Sequence, residues 1–142
     1  MMWFPTNGIL PDKVTKVAKE IMDTLDNPRI GITISLDGEG VMHDIQRGLD
    51  GSYKKAIETL RNLSEQRKSR DFFLSTGFTL TSDNYKHAPI IQKIAYQYGA
   101  DFSFRPVNIS EHYYQNMDKK GDFKPEDITP SLDSVAYTLK KE

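Results

Sequence analysis

At 142 residues the chain has room for one domain with a sizeable core. A hydrophobic share of 37% and a charged share of 27% are ordinary for a globular protein, and a net charge of −1 leaves no electrostatic footprint for nucleic acid or an anionic membrane. There is no cysteine, which excludes disulfides, thiolate catalysis and any cysteine-held zinc or iron–sulfur centre within the chain.

The segment 1–5 is apolar, but it is too short for a signal peptide and has no basic flank. No apolar run approaches the roughly 20 residues that span a bilayer. The expected setting is therefore the cytoplasm. Trp3 and Phe4 read as the stub of a strand that ends at the turn Thr6-Asn7-Gly8. Pro11 and Asp12 suit the first turn of a helix, and Val14, Val17, Ala18, Ile21, Met22 and Leu25 follow as its apolar stripe. Asn27-Pro28 stops it.

Residues 29–36 form the clearest strand. Ile30, Ile32, Ile34 and Leu36 alternate with Gly31, Thr33, Ser35 and, beyond the last of these, Asp37. The pattern breaks at Gly38, and a short loop carries His43, Asp44 and Arg47 towards a second helix with Ser52 as its expected N-cap. Tyr53, Ala56, Ile57, Leu60 and Leu63 make that helix's stripe, and 64–70 reads as its solvated basic end. Residues 71–81 alternate again, with Phe72, Leu74, Phe78 and Leu80 against Ser75, Gly77, Thr79 and Thr81. Ser82-Asp83-Asn84 closes the strand and caps a third helix, striped by Ile90, Ile91, Ile94, Ala95 and Tyr98, with Gly99 as its C-cap.

A last strand over 101–107 sets Phe102 and Phe104 against Ser103 and Arg105. Ser110 opens a short helix through Met117; 118–131 reads as a linker and 132–142 as a final amphipathic helix, leaving 1–117 as the main unit. Alternating strands and helices predict an α/β fold with a parallel sheet and right-handed crossovers. Strands buried on both faces would be apolar on both. These are apolar on one face only, so the expected architecture is a partial (β/α) barrel of about four strands, with helices outside and the ligand at the carboxyl ends of the strands.

Several side chains admit two readings. Thr33, Ser35 and Asp37 either face a ligand or merely line the sheet. His43-Asp44 is a metal pair, an acid–base pair, or a latch in which Asp44 caps a helix or pairs with Arg47. Arg47 is an anion contact or a surface ion pair, and Arg105 meets either a ligand carboxylate or Asp37. His87 is expected to be exposed in the third helix's first turn, and His112 to belong to the packing of a short helix.

In order and spacing, Thr6-Asn7-Gly8, Ser35-Leu36-Asp37-Gly38, His43-Asp44 with Arg47-Gly48, Gly51-Ser52-Tyr53, Gly77-Phe78-Thr79-Leu80-Thr81 with Asn84, and Phe104-Arg105-Pro106-Val107 resemble the radical S-adenosylmethionine enzymes, in particular the peptide-modifying members with a SPASM-type extension. The likeness spans roughly 4–116 and corresponds to that family's barrel from the end of its third strand to its sixth. It implies a cofactor site for S-adenosylmethionine. By position, Ser35 looks towards the ribose, Arg47 towards the carboxylate, and Thr79, Thr81 and Asn84 line the cofactor-facing edge. Arg105 lies where backbone meets the adenine, and Asp37 shapes the intervening loop. The family cleaves S-adenosylmethionine to a 5′-deoxyadenosyl radical with an electron from a [4Fe–4S] cluster. The cluster's cysteine loop and the first two strand–helix units have no counterpart here, so the chain alone is expected to be inactive. Two open sheet edges imply self-association or a partner that supplies the remaining strands. The alternative is a non-catalytic binding or interaction module.

Overall fold

The computed structural model describes residues 2–25, 29–108 and 125–139. The chain folds as β1 (Met2–Thr6), α1 (Pro11–Thr24), β2 (Ile30–Ser35), α2 (Val41–Arg47), α3 (Ser52–Arg67), β3 (Phe73–Leu80), a 3-10 turn (Tyr85–His87), α4 (Ala88–Gln97), β4 (Asp101–Pro106) and α5 (Pro125–Leu139). The short helix expected at 110–117 lies outside the described residues.

The four strands are all parallel and lie in the order β1-β2-β3-β4. That order never reverses. Right-handed crossovers that step in one direction place every connecting helix on the same face, and the burial pattern follows. Ile30, Ile34, Leu36, Leu74 and Phe78 are almost fully shielded beneath Leu60, Leu63 and Ile91 of the helices. Burying each such side chain contributes about 1.5–3 kcal/mol. The positions between them, Trp3, Pro5, Thr33, Ser35, Gly77, Thr79, Ser103 and Arg105, are exposed or half-buried. The fold is thus α/β with helices on one face of the sheet, consistent with a segment of a β/α barrel. Among the described residues, no helix is long and apolar enough to cross a membrane.

Four local expectations need correction. The stretch after β2 is not simply a loop: 41–47 form a two-turn helix, entered through Gly40 at φ 58 and left through Gly48 at φ 63. Ser52 is the first residue of α3 rather than its cap, because Gly51 takes the left-handed cap conformation at φ 76. Asn84 does not cap α4; a 3-10 turn intervenes, and its side chain bonds back towards the strand ends instead. The linker expected over 118–131 is helical from Pro125 onward, with Pro130 inside α5. Ile128 and the buried Val135 pack α5 onto the core, and that packing outweighs the local cost of the proline. Residues 118–124 lie outside the described residues.

Candidate functional site

On the face opposite the helices, left bare by the described residues, the sheet carries a groove of about 300 Å³. Its floor is Thr33 and Ser35 of β2 with Gly77 and Thr79 of β3; Trp3 stands at its β1 side, and Ser103 and Arg105 line it from β4. Strict alternation puts these side chains here: each is the odd neighbour of a core residue. Trp3 lies flat across β2 because residue 31 is glycine, where a Cβ would fall inside the indole ring. The indole N–H donates to Thr33 Oγ1 at 2.7 Å, and Thr33 Oγ1 lies 2.7 Å from Ser75 Oγ. Arg105 pairs in register with Thr79, towards the carboxyl ends of the strands. Among the described residues it takes no ion-pair partner, so the expected alternative of an Arg105–Asp37 pair is not found.

At the carboxyl rim a second set of residues is tied together. Asp37, almost fully buried, accepts the Thr79 N–H at 2.7 Å and pairs with Arg47 Nη2 at 2.6 Å. The buried amide of Asn84 donates to the carbonyls of Asp37 and Thr79 at 2.9 and 2.8 Å and accepts the Thr81 N–H at 2.8 Å. Thr81 Oγ1 accepts the N–H groups of Asp83 and Asn84, closing the turn. Two histidines hold the 36–40 loop: His43 Nδ1 accepts the Asp37 N–H at 3.1 Å, and His87 Nδ1 accepts the Glu39 N–H at 3.2 Å. Burial holds His43 below the ordinary imidazole range, against the opposing pull of the Asp37 carboxylate.

Asp44 answers the question left open by its pairing with His43. It does not meet Arg47. Its carboxylate accepts Tyr53 N–H at 2.7 Å, Gly51 N–H at 2.8 Å and Ser52 Oγ–H at 2.9 Å, taking up the orphan donors at the start of α3. The Tyr53 backbone bond is the largest influence holding this carboxyl below its usual range. The latch reading is the one the geometry matches. Among the described residues, no group of His, Asp and Glu is arranged to hold a metal ion.

The seven residues singled out in the sequence therefore separate into two places. Ser35, Thr79 and Arg105 meet in the groove. Asp37, Arg47, Thr81 and Asn84 spend their polar groups on one another and on the backbone at the rim. Trp3 and Ser103 were missed as lining. Their only sequence signal was alternation in β1 and β4, and β1 is too short to display it. A second groove, about 310 Å³, lies between α1 and the covered side of β1 and β2. Its lining is apolar, and the side chains of Thr6 and Asn7 there are turned to the Gly8 and Ile9 amides. It offers little to orient a polar ligand.

Compared with family models the chain matches none, and no curated protein matches it.

Proposed function

We propose that the bare face of the sheet binds S-adenosylmethionine, with this chain acting as the later strands of a radical S-adenosylmethionine barrel in a cytoplasmic enzyme. One observation carries the reading: a hydroxyl-floored groove on the uncovered face of a one-directional parallel sheet, ending in Arg105 at the carboxyl edge. In such a fold that edge is where ligands sit. Ser35 and Thr79 offer hydroxyls to a ribose, Trp3 offers a flat apolar wall, and Arg105 offers charge to a carboxylate. These groups fit the adenosyl and carboxylate parts of the cofactor.

The cluster is a different matter. No thiolate is available anywhere in the chain, so the residues do not fit a [4Fe–4S] centre. In this reading the electron donor and the remaining strands come from other polypeptide. The same absence favours the second reading, a module that binds its ligand without redox chemistry.

Titration calorimetry with S-adenosylmethionine tests the proposal. Binding should be measurable in the unmodified chain and weaken about tenfold in Ser35→Ala and in Arg105→Ala, the loss of roughly one hydrogen bond or charge contact each. Arg47→Ala should weaken it only through loosening of the rim. No heat of binding at millimolar ligand would sink the cofactor reading for this chain.

A further inference from the structure

The loop between β2 and α2 is held in an unusual way. Alternate amides, those of Asp37 and Glu39, donate to two different histidines, one on α2 and one on the 3-10 turn that precedes α4. An imidazole nitrogen that accepts an N–H cannot itself carry a proton. The acceptor role of Nδ1 thus assigns the ring proton to Nε2 in each of these two bonds. Protonating either ring puts an N–H where the acceptor stood, facing the backbone N–H, and the bond is lost. We infer that His43 and His87 form a proton-released clasp: both bonds hold when the rings are neutral, and mild acid frees the 36–40 loop and loosens the carboxyl rim of the polar groove.

The surroundings of the two rings differ. His43 is fully buried, and its Nε2 finds no hydrogen-bond partner. The charged groups around it are already committed. The Asp37 carboxylate is taken by Arg47 and the Thr79 N–H; the Asp44 carboxylate is taken by the start of α3. Arg47 adds repulsion, and the Tyr53 ring stands 6.1 Å away, centroid to centroid. Burial thus resists the imidazolium at His43. Since its folded value lies below the ordinary 6.5, its contribution to stability is full above that pH and falls as the pH drops through it and below. His87 is half-buried. Lys86 beside it turns to the Tyr85 ring, Glu39 belongs to the loop being held, and the described acids of the neighbouring α5, Glu126 and Asp133, are exposed.

The consequence reaches the groove through one residue. Asp37 holds the Thr79 N–H, and Thr79 lines the groove floor. The link to ligand binding rests on the reading of that groove as the S-adenosylmethionine site; the clasp does not.

Nuclear magnetic resonance on the full chain tests it. Long-range nitrogen–proton spectra at about pH 7.5 should give both rings as the Nε2-protonated tautomer. Exchange protection of the Asp37 and Glu39 amides, corrected for intrinsic exchange and referred to Leu74 in β3, should fall about tenfold or more between about pH 7.5 and pH 5.5, the loss of one hydrogen bond each. His87→Asn keeps a side-chain acceptor that does not titrate. In it the Glu39 amide should stay protected in acid while that of Asp37 still opens. His87 is half-buried on a turn, so this variant tests the clasp even if substitutions at the buried His43 fail to fold. A ring carrying its proton on Nδ1, or amide protection that ignores pH in the unmodified chain, overturns the clasp. An opening clasp with S-adenosylmethionine affinity unchanged across the same range overturns the link to the groove. An opening clasp with no binding at any pH leaves the clasp standing and removes the cofactor reading.

Discussion

At the scale of single residues, the bare face depends on a missing side chain. Gly31 allows the Trp3 indole to lie against β2 and to reach the Thr33 hydroxyl. A methyl group at position 31 would have to displace the ring. Gly31→Ala should therefore break the Trp3–Thr33 bond, cost about 1–3 kcal/mol through overpacking, and shift the emission of Trp3 to the red. Trp3 is the sole tryptophan, so fluorescence and urea unfolding report the site directly. An unchanged emission maximum would mean the indole had another place to rest. The same scale explains why the Asp37–Arg47 pair was not foreseen. Asp44 could cap a helix or pair with Arg47; it caps, taken by three donors at the start of α3. Arg47 was left to meet an almost buried carboxylate from another element. A buried carboxylate needs a partner more than an exposed one does.

At the scale of elements, the edge strands carry a consistent device. Met2 N–H bonds to Arg29 C=O, and Val107 N–H bonds to Leu80 C=O, each at 2.9 Å. In a strand, alternate residues address opposite neighbours. Pro5 in β1 and Pro106 in β4 therefore occupy positions whose N–H would point away from the sheet. Each open edge lacks a donor at that position, a known way to make an edge a poorer template for another strand. Pro5→Val restores the donor and should move the chain towards higher oligomers in sedimentation velocity at matched concentration. A sedimentation profile identical to that of the unmodified chain would show that pairing at β1 is not limited by that donor. The self-association expected from two open edges is thus opposed, at both edges, by a residue that the sequence displays openly but whose outward position only the ladder reveals.

For the whole molecule, the one-directional strand order is the main organising fact, since among the described residues it puts the helices on one side and leaves a polar face bare. Adjacent residues of β2 should then differ sharply in cost. Ile34→Ala removes a side chain with no solvent exposure and should destabilise by about 2–5 kcal/mol. Ser35→Ala, one residue on and half-buried in the groove, should change stability by no more than about 0.5 kcal/mol. Equal costs in chemical denaturation would contradict a one-sided sheet.

The sequence by itself determined the α/β class, the parallel order, the apolar and polar faces of β2 and β3, and the absence of thiolate chemistry. Side-chain alternation is a local property, and local periodicity is enough to read it. Only the tertiary structure decided which polar groups remain available. Ser35, Thr79 and Arg105 share a groove, while Asp37, Arg47, Thr81 and Asn84 are consumed at the rim. Helix α5 forms through Pro130 because distant core residues hold it. The reason is the same in each case. Which partner a carboxylate, an amide or an imidazole takes depends on what other elements bring within hydrogen-bond reach, and that proximity is set by how the elements pack.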